Sequence, residues 1–491
     1  MNSLRFSLLI YSALAAAIIV ALATEQRLWI GGFLLLTVTA LLPLSLRWWS
    51  IPRRQRDCFE VILPVAAYMY FGMGVRGAAL CLGLASSPYE QIATDNPAII
   101  ETFIAGTLAF AGLYIGYLWF GKRRAFRGSA GVIRSGGNDP HGLALICCIY
   151  GFLAFAAALY FYTRFGNASD LSDPSNLVKL SARGGLYPIT GMLRLAYIGL
   201  FVCVAELSVR RAGVLLRAGA VINALAIGTW FIIGSGKETL VLPVLGIFAI
   251  RNYLHRRINI WIPVLLLGLL FAMYPLLFSY RYEGERAVTS NNVSMSQGFQ
   301  MALERSHHFD MTALVIERTK SWQDLKFGST LLELFYFPVP RALWPSKPDS
   351  FGYLFGAEYL GDEYQLGVSG GETPSMIGEL FLNFHFVGDF LGMLIFGFAL
   401  RRMYDLVRNG STSPLKVATY ALFLANAVHL VEGPIASHAS TFLVDAAPIF
   451  LLYASDRWIF NRHQTLARWN EQWMRISGMH GASAVPAEAR K

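Results

Sequence analysis

Residues 142–163 read GLALICCIYGFLAFAAALYFYT, a run without a single charge. Wound at 1.5 Å per residue, such a run crosses a hydrocarbon layer of about 30 Å. No water reaches the backbone there, so its N–H and C=O groups must be paired within the segment, which makes it a helix. Similar runs recur on both sides. Before it stand Phe6–Ala23, Leu28–Leu46, Phe59–Leu84 and Ile99–Phe120; after it come Pro188–Val209, Ala218–Ile233, Thr239–Leu254 and Ile258–Ser279. Pro374–Leu400, Val417–Val431 and Thr441–Ile459 close the series. The predicted fold class is all-α: a polytopic membrane protein of about twelve transmembrane helices. Phe6–Ala23 is long for the apolar region of a signal peptide and reads as a retained first helix.

Composition agrees. Of 491 residues, 55% are hydrophobic and only 15% charged, too little polar sequence to cover soluble cores. The net charge of +10 does not point to nucleic acid, because the Lys and Arg residues gather in short loops between apolar runs. Arg53, Arg54 and Arg56, then Lys122, Arg123, Arg124 and Arg127, then Arg210 and Arg211, fall in alternate loops. Positive loops stay in the cytoplasm. That places both termini in the cytoplasm. The five cysteines lie in or beside spans and form no CxxC pair, so neither a disulfide framework nor a cysteine metal site is expected.

The predicted division is transmembrane helices 1–9 in residues 1–280, one large outer loop at 281–372, helices 10–12 in 373–460, and a cytoplasmic tail at 461–491. A loop so long is usually functional rather than connective. A helix is expected over Met295–Ile316. Leu331–Phe337 is apolar enough to lie in the membrane interface. The Pro-rich stretch from Pro338 to Pro348 is forced into an extended course, since each proline fixes its own φ and restricts its predecessor.

Cations on the outer face run against the topological bias and so need a reason to be there. Arg281, Arg286, Arg341 and Lys347 belong to the loop, Lys237 to the Gly234-Ser-Gly-Lys-Glu238 turn, and Arg76 and Arg194 to apolar sequence. The last two either snorkel to the interface or line a cationic cavity for an anionic headgroup; Arg suits the latter through its bidentate fork. On the same face are Glu304, His307, His308, Asp310, Glu372, Glu379 and His385. The His307/His308/Asp310 group reads as a general base or an ordinary helix surface rather than a metal site, for it lacks ligand spacing. Glu379 and Asn383, four residues apart, share one face near the outer end of the tenth span.

Several of these elements resemble the O-antigen (Wzy-type) oligosaccharide repeat-unit polymerases. They are the large loop before the third-last span, Gly-Ser-Gly-Lys-Glu at 234–238, Pro-Arg-Ala-Leu-Trp-Pro-Ser-Lys-Pro at 340–348, and Thr-Pro-Ser-Met-Ile-Gly-Glu-Leu-Phe-Leu-Asn at 373–383 leading into Gly388. The resemblance implies a GT-C-like glycosyltransferase on the periplasmic face. It would move a growing glycan from an undecaprenyl-diphosphate carrier to the next lipid-linked repeat unit of an O-antigen or exopolysaccharide. No cofactor and no metal are implied; a flippase and a chain-length regulator would be its partners. Arg281, Arg286, Arg341, Lys347, Lys237 and Arg194 would bind diphosphate, and Glu372, Glu379 or His308 would deprotonate the acceptor. Two alternatives stay open: an O-antigen ligase with the same chemistry on another acceptor, and a lipid-linked oligosaccharide flippase or other transporter.

Overall fold

In the computed structural model, the residues described are 28–52, 56–85, 87, 97–119, 140–165, 187–209, 213–234, 237–255, 257–263, 265, 268–269, 299–300, 302–303, 306–336, 339, 343–360, 374–408, 413–436, 438–440, 442–443 and 446–453. No strand occurs among them. The bundle comprises α1 (Leu28–Ser50), α2, α3 (Pro97–Trp119), α4 (Pro140–Phe165), α5 (Tyr187–Val209), α6 (Val214–Gly234) and α7 (Lys237–Leu254). It continues with α8 (His308–Arg318), α9 (Met376–Arg408) and α10 (Pro414–Ala427). Helix α2 is built from α-helix Ile62–Tyr70, a π-turn Phe71–Val75 and α-helix Arg76–Cys81. Seven helices, namely α1, α3, α4, α5, α6, α9 and α10 with its short extension to Glu432, are long and apolar enough to cross a membrane. The chain is thus an all-α, multi-pass membrane protein. Of the five other predicted spans, two appear as the bulged α2 and the shorter α7, while Phe6–Ala23 and most of Ile258–Ser279 lie outside the described residues and Thr441–Ile459 lies partly outside them.

Glycine sets the closest helix packing. On α3, a Cβ at Gly112 would stand 2.2 Å from the Phe390 carbonyl oxygen, and one at Gly116 2.0 Å from that of Leu394. Gly397 of α9 meets the Leu113 carbonyl at 2.1 Å in the same way. Small residues let backbones approach where lipid gives no hydrophobic drive to associate. The two helices advance together through these contacts, so they are parallel.

The tenth predicted span is not the single rigid helix expected over Pro374–Leu400. At Phe384 (φ −141°, ψ 16°) and His385 (φ 56°, ψ −157°) the chain leaves helical geometry. The Leu380 carbonyl oxygen lies 2.3 Å from where a Gly388 Cβ would be, and the Leu380 side chain comes as close to Gly392. Residues eight apart in a straight helix are about 12 Å apart. So 376–383 is a short arm folded back against a crossing arm, 386–408. A positive φ at a non-glycine residue is costly and persists only where its surroundings fix it. Here His385 is held between Phe381, Phe386 and Trp322, whose ring stacks on it at 6.0 Å.

At the end of the bundle remote from the large loop, the link between α1 and α2 turns inward. Asp57 there is buried and accepts hydrogen bonds from Phe59 N, Asn252 Nδ2, Tyr253 Oη and Tyr404 Oη, at 3.0, 3.0, 2.6 and 3.0 Å. Next to it Glu60 accepts from Arg47 Nη2 and, at 2.7 Å, from Tyr117 Oη. These two buried, hydrogen-bonded carboxylates tie α1, α3, α7 and α9 together. An unpaired charge in this position would be expensive.

Candidate functional site

Arg76 settles where the loop is attached. It follows the π-turn of α2 and is completely buried. Its Nε and Nη2 donate to the two Asp310 carboxylate oxygens at 2.8 and 3.1 Å, and Nη1 donates to the Leu303 carbonyl at 3.3 Å. The alternatives of snorkelling or headgroup binding are therefore replaced by a buried bidentate ion pair that pins α8 into the bundle. Asp310 is its counter-ion, which takes it out of the reading as a base or ligand. Residues 299–300 and 302–303 are helical as expected, but the helix is interrupted at 306–307; α8 starts at His308 and buries Phe309 against Phe103 of α3.

That anchoring carries His308 to α2. Its Nε2 lies 3.1 Å from the Tyr68 hydroxyl, with the two rings edge to face at 5.3 Å. Gly72 in the π-turn gives the room: a Cβ there would come within 2.3 Å of the imidazole. π-turns of this kind re-aim side chains and often accompany functional positions. The Tyr68 hydroxyl also hydrogen-bonds Glu432, which lies within electrostatic range of His308. Glu432 ends the short helix His429–Glu432 that prolongs α10, and His429 Nδ1 contacts its Oε2 at 2.9 Å. The Glu432 side chain keeps 47% of its surface exposed, so the carboxylate is both oriented and reachable.

Two further groups border it. Arg194 of α5 donates from Nη1 to Asn426 Oδ1 at 2.6 Å, and Asn426 in turn donates to the Leu422 carbonyl of its own helix. His438 senses the charges of Arg194, His429 and Glu432. Burial pushes the His438 imidazole down to about 4; the positive charge of His429 and Arg194 acts the same way, while Glu432 opposes. Burial also lowers His308, again against Glu432. Both rings are neutral at pH 7. A half-exposed carboxylate held by Tyr68 and His429 can accept a proton, and Arg194, tied to Asn426 of the neighbouring helix, can hold an anion.

Glu379 sits beside this cluster but supports it rather than joining it. It is fully buried on the short arm of α9. Its Oε1 accepts from Thr330 Oγ1 at 2.7 Å and its Oε2 from the Ile435 backbone N–H at 2.6 Å. Asn383 closes the frame, donating to Thr330 Oγ1 and accepting from Gly328 N, at 2.7 and 2.8 Å. The base role implied for Glu379 is not supported by this setting: among the described residues it orients the backbone that leads from Glu432 to His438. Lys347 is placed apart, donating to the Val339 carbonyl at 3.0 Å with Glu333 as its charged neighbour. Lys237 opens α7, its side chain beyond the described atoms, and Arg281, Arg286, Arg341 and Glu372 lie outside the described residues.

Three of the nine candidates read from sequence, Arg194, His308 and Glu379, thus converge on residues 426–438. Tyr68, His429, Glu432 and His438 were missed. A usable signal existed: two histidines and a glutamate within ten residues, flanking Gly433-Pro434 at the end of an apolar span. No family model, curated protein or solved structure matches this chain.

The histidines make the cluster sensitive to acid. The unfolded pKa is about 6.5 and the folded His438 value about 4, so the unfolded chain binds more protons between them. The stability contributed by neutral His438 is complete above pH 6.5 and is lost as pH falls toward 4. Thermal midpoints from pH 7.5 to 4.5 are expected to fall less steeply in His438→Gln than in the wild type. Parallel curves would show that His438 is not buried as a neutral ring.

Proposed function

We propose that the protein is a GT-C-like membrane glycosyltransferase that polymerises undecaprenyl-diphosphate-linked oligosaccharide repeat units at the periplasmic face of a bacterial inner membrane. The observation that carries this reading is the convergence of Arg194, Tyr68, His308, His429 and Glu432 on residues 426–438, among the described residues, at the end of the bundle where the loop is anchored. The resemblance of 234–238 and 340–388 to repeat-unit polymerases supports it. In the proposed step an acceptor hydroxyl oxygen bonds to the anomeric carbon of the donor glycan. The bond from that carbon to the diphosphate oxygen breaks, and the leaving diphosphate takes the electron pair. Glu432 takes the hydroxyl proton, steered by Tyr68 and His429. Arg194 stabilises the charge growing on the diphosphate, with Arg281, Arg286, Arg341, Lys237 and Lys347 as the further cations proposed from sequence. Glu372 is the other candidate base.

Purified protein in liposomes, supplied with undecaprenyl-diphosphate-linked repeat units, is expected to yield a ladder of longer lipid-linked glycans. Transfer only to a lipid A-core acceptor would instead identify a ligase, and movement across the bilayer without covalent change a transporter. In the same assay Arg194→Lys keeps the charge but loses the planar fork. Loss of a charge-assisted hydrogen bond of about 1.5–3 kcal/mol corresponds to roughly ten- to a hundredfold in rate. A wild-type rate in Arg194→Lys would remove Arg194 from the diphosphate site.

A further inference from the structure

The loop presents large apolar side chains that stay mostly exposed among the described residues: Trp322 is 70% exposed, Phe327 64%, Leu332 58%, Phe335 78% and Leu343 79%. They form one ledge. Its base is fixed to the short arm of α9, where Lys326 N donates to the Leu382 carbonyl at 3.0 Å, Gly328 N to Asn383, and Trp322 stacks on His385. Its far end is joined by the edge-to-face contact of Tyr336 with Trp344.

The height of this ledge follows from the register of α3 and α9. Gly112 packs on Phe390 and Leu394, and Gly116 on Leu394 and Phe398, so Phe386 at the root of the crossing arm stands level with about the middle of α3. Roughly nine residues of α3, from Pro97 onward, project past that level, about 14 Å at 1.5 Å per residue. Those turns, Glu101 apart, are apolar and belong to a membrane-spanning helix. From Phe386 to Leu400, the last residue before Arg401 and the exposed Arg402, the crossing arm supplies only about 22 Å. A hydrocarbon layer of about 30 Å therefore extends beyond the kink. Trp322, Lys326 and Gly328, at the base of the ledge, stand at that kink. On the crossing arm itself the exposed side chains Val387, Leu391 and Ile395 recur every four residues, one lipid-facing stripe that runs up to Phe384 and the ledge.

We infer that the apolar side chains of the ledge, Trp322, Phe327, Leu332, Phe335 and Leu343, are immersed in the acyl chains and upper interface of the bilayer as a lateral extension of the lipid-facing surface of α9, while the charged side chain of Asp324 among them faces water. Removing such side chains from water is favourable, and tryptophan favours this depth. The loop is thus docked twice, by Arg76–Asp310 inside the bundle and by lipid outside it. The inference rests on membrane insertion alone and is independent of the proposed chemistry.

Nitroxide labels on Phe335→Cys and Leu343→Cys in the full-length protein, reconstituted in phosphatidylethanolamine–phosphatidylglycerol liposomes, test it. Leu391→Cys serves as a lipid-facing reference and the fully exposed Asp324→Cys as an aqueous one. Unmutated protein labelled in parallel subtracts the five native cysteines. At positions 335 and 343 relaxation by oxygen relative to a water-soluble nickel chelate is expected to be several-fold higher than at 324 and close to that at 391. Nickel access matching that at 324 would place the ledge in water. Low access to both reagents would mean that protein, not lipid, covers it; either result overturns the inference.

Discussion

Arg76→Met is expected to cost about 3–5 kcal/mol of stability, the usual effect of leaving one partner of a buried ion pair uncompensated. Folded proteins have only about 5–15 kcal/mol in hand, so the variant should be recovered in low yield and aggregate well below the wild-type midpoint. Asp310 makes this a severe test. It is completely buried, and Arg76 supplies both of its bidentate hydrogen bonds. Asp310→Leu alone should be as damaging, because a guanidinium then stays in the core. The pair replaced together, Arg76→Met with Asp310→Leu, should recover much of the loss, since an apolar substitute of similar volume is often as good as the ions. Heating detergent-solubilised protein and scoring the monodisperse fraction by size exclusion decides it. Single variants that match the wild type would mean that α8 is held by its apolar contacts alone.

Glu432→Gln is expected to reduce polymerisation by about 10²–10⁴-fold, the range for removing a positioned general base. The amide keeps the shape and can still hydrogen-bond Tyr68 and His429, so the protein should remain folded and the loss should appear in the rate rather than in recovery. Glu379→Gln serves as the contrast. Its carboxylate accepts from Thr330 and Ile435 and faces no solvent, so that variant should lower thermal stability with a smaller effect on rate. Assaying Glu372→Gln beside them separates the two base candidates. Full activity in Glu432→Gln with none in Glu372→Gln would transfer the role to Glu372.

The sequence by itself determined the fold class, because a membrane span is a local property. Twenty apolar residues need no distant partner to be a helix, and positive loops report sidedness one loop at a time. That is why 142–163 and its counterparts were legible, and why α3, α5 and α6 begin and end within a few residues of the predicted spans. Candidate cations and acids were legible too, as charges in places where charge needs an explanation. What they do was not. The partner of Arg76 lies 234 residues away, and nothing near Arg76 distinguishes an ion pair from a snorkelling side chain. Glu432 looked like the end of a span until α2, α8 and α10 brought Tyr68, His308 and His429 to it. The break at Phe384–His385 was equally silent: after Pro374, residues 375–400 have the composition of one continuous helix and no proline. Only the packing of Trp322, Phe381 and Phe386 around His385 and the docking of 326–330 on the short arm fix the fold-back. Local periodicity specifies that a segment is helical; which face meets which, and where a helix must break to let two meet, depends on contacts that exist only once the chain has folded.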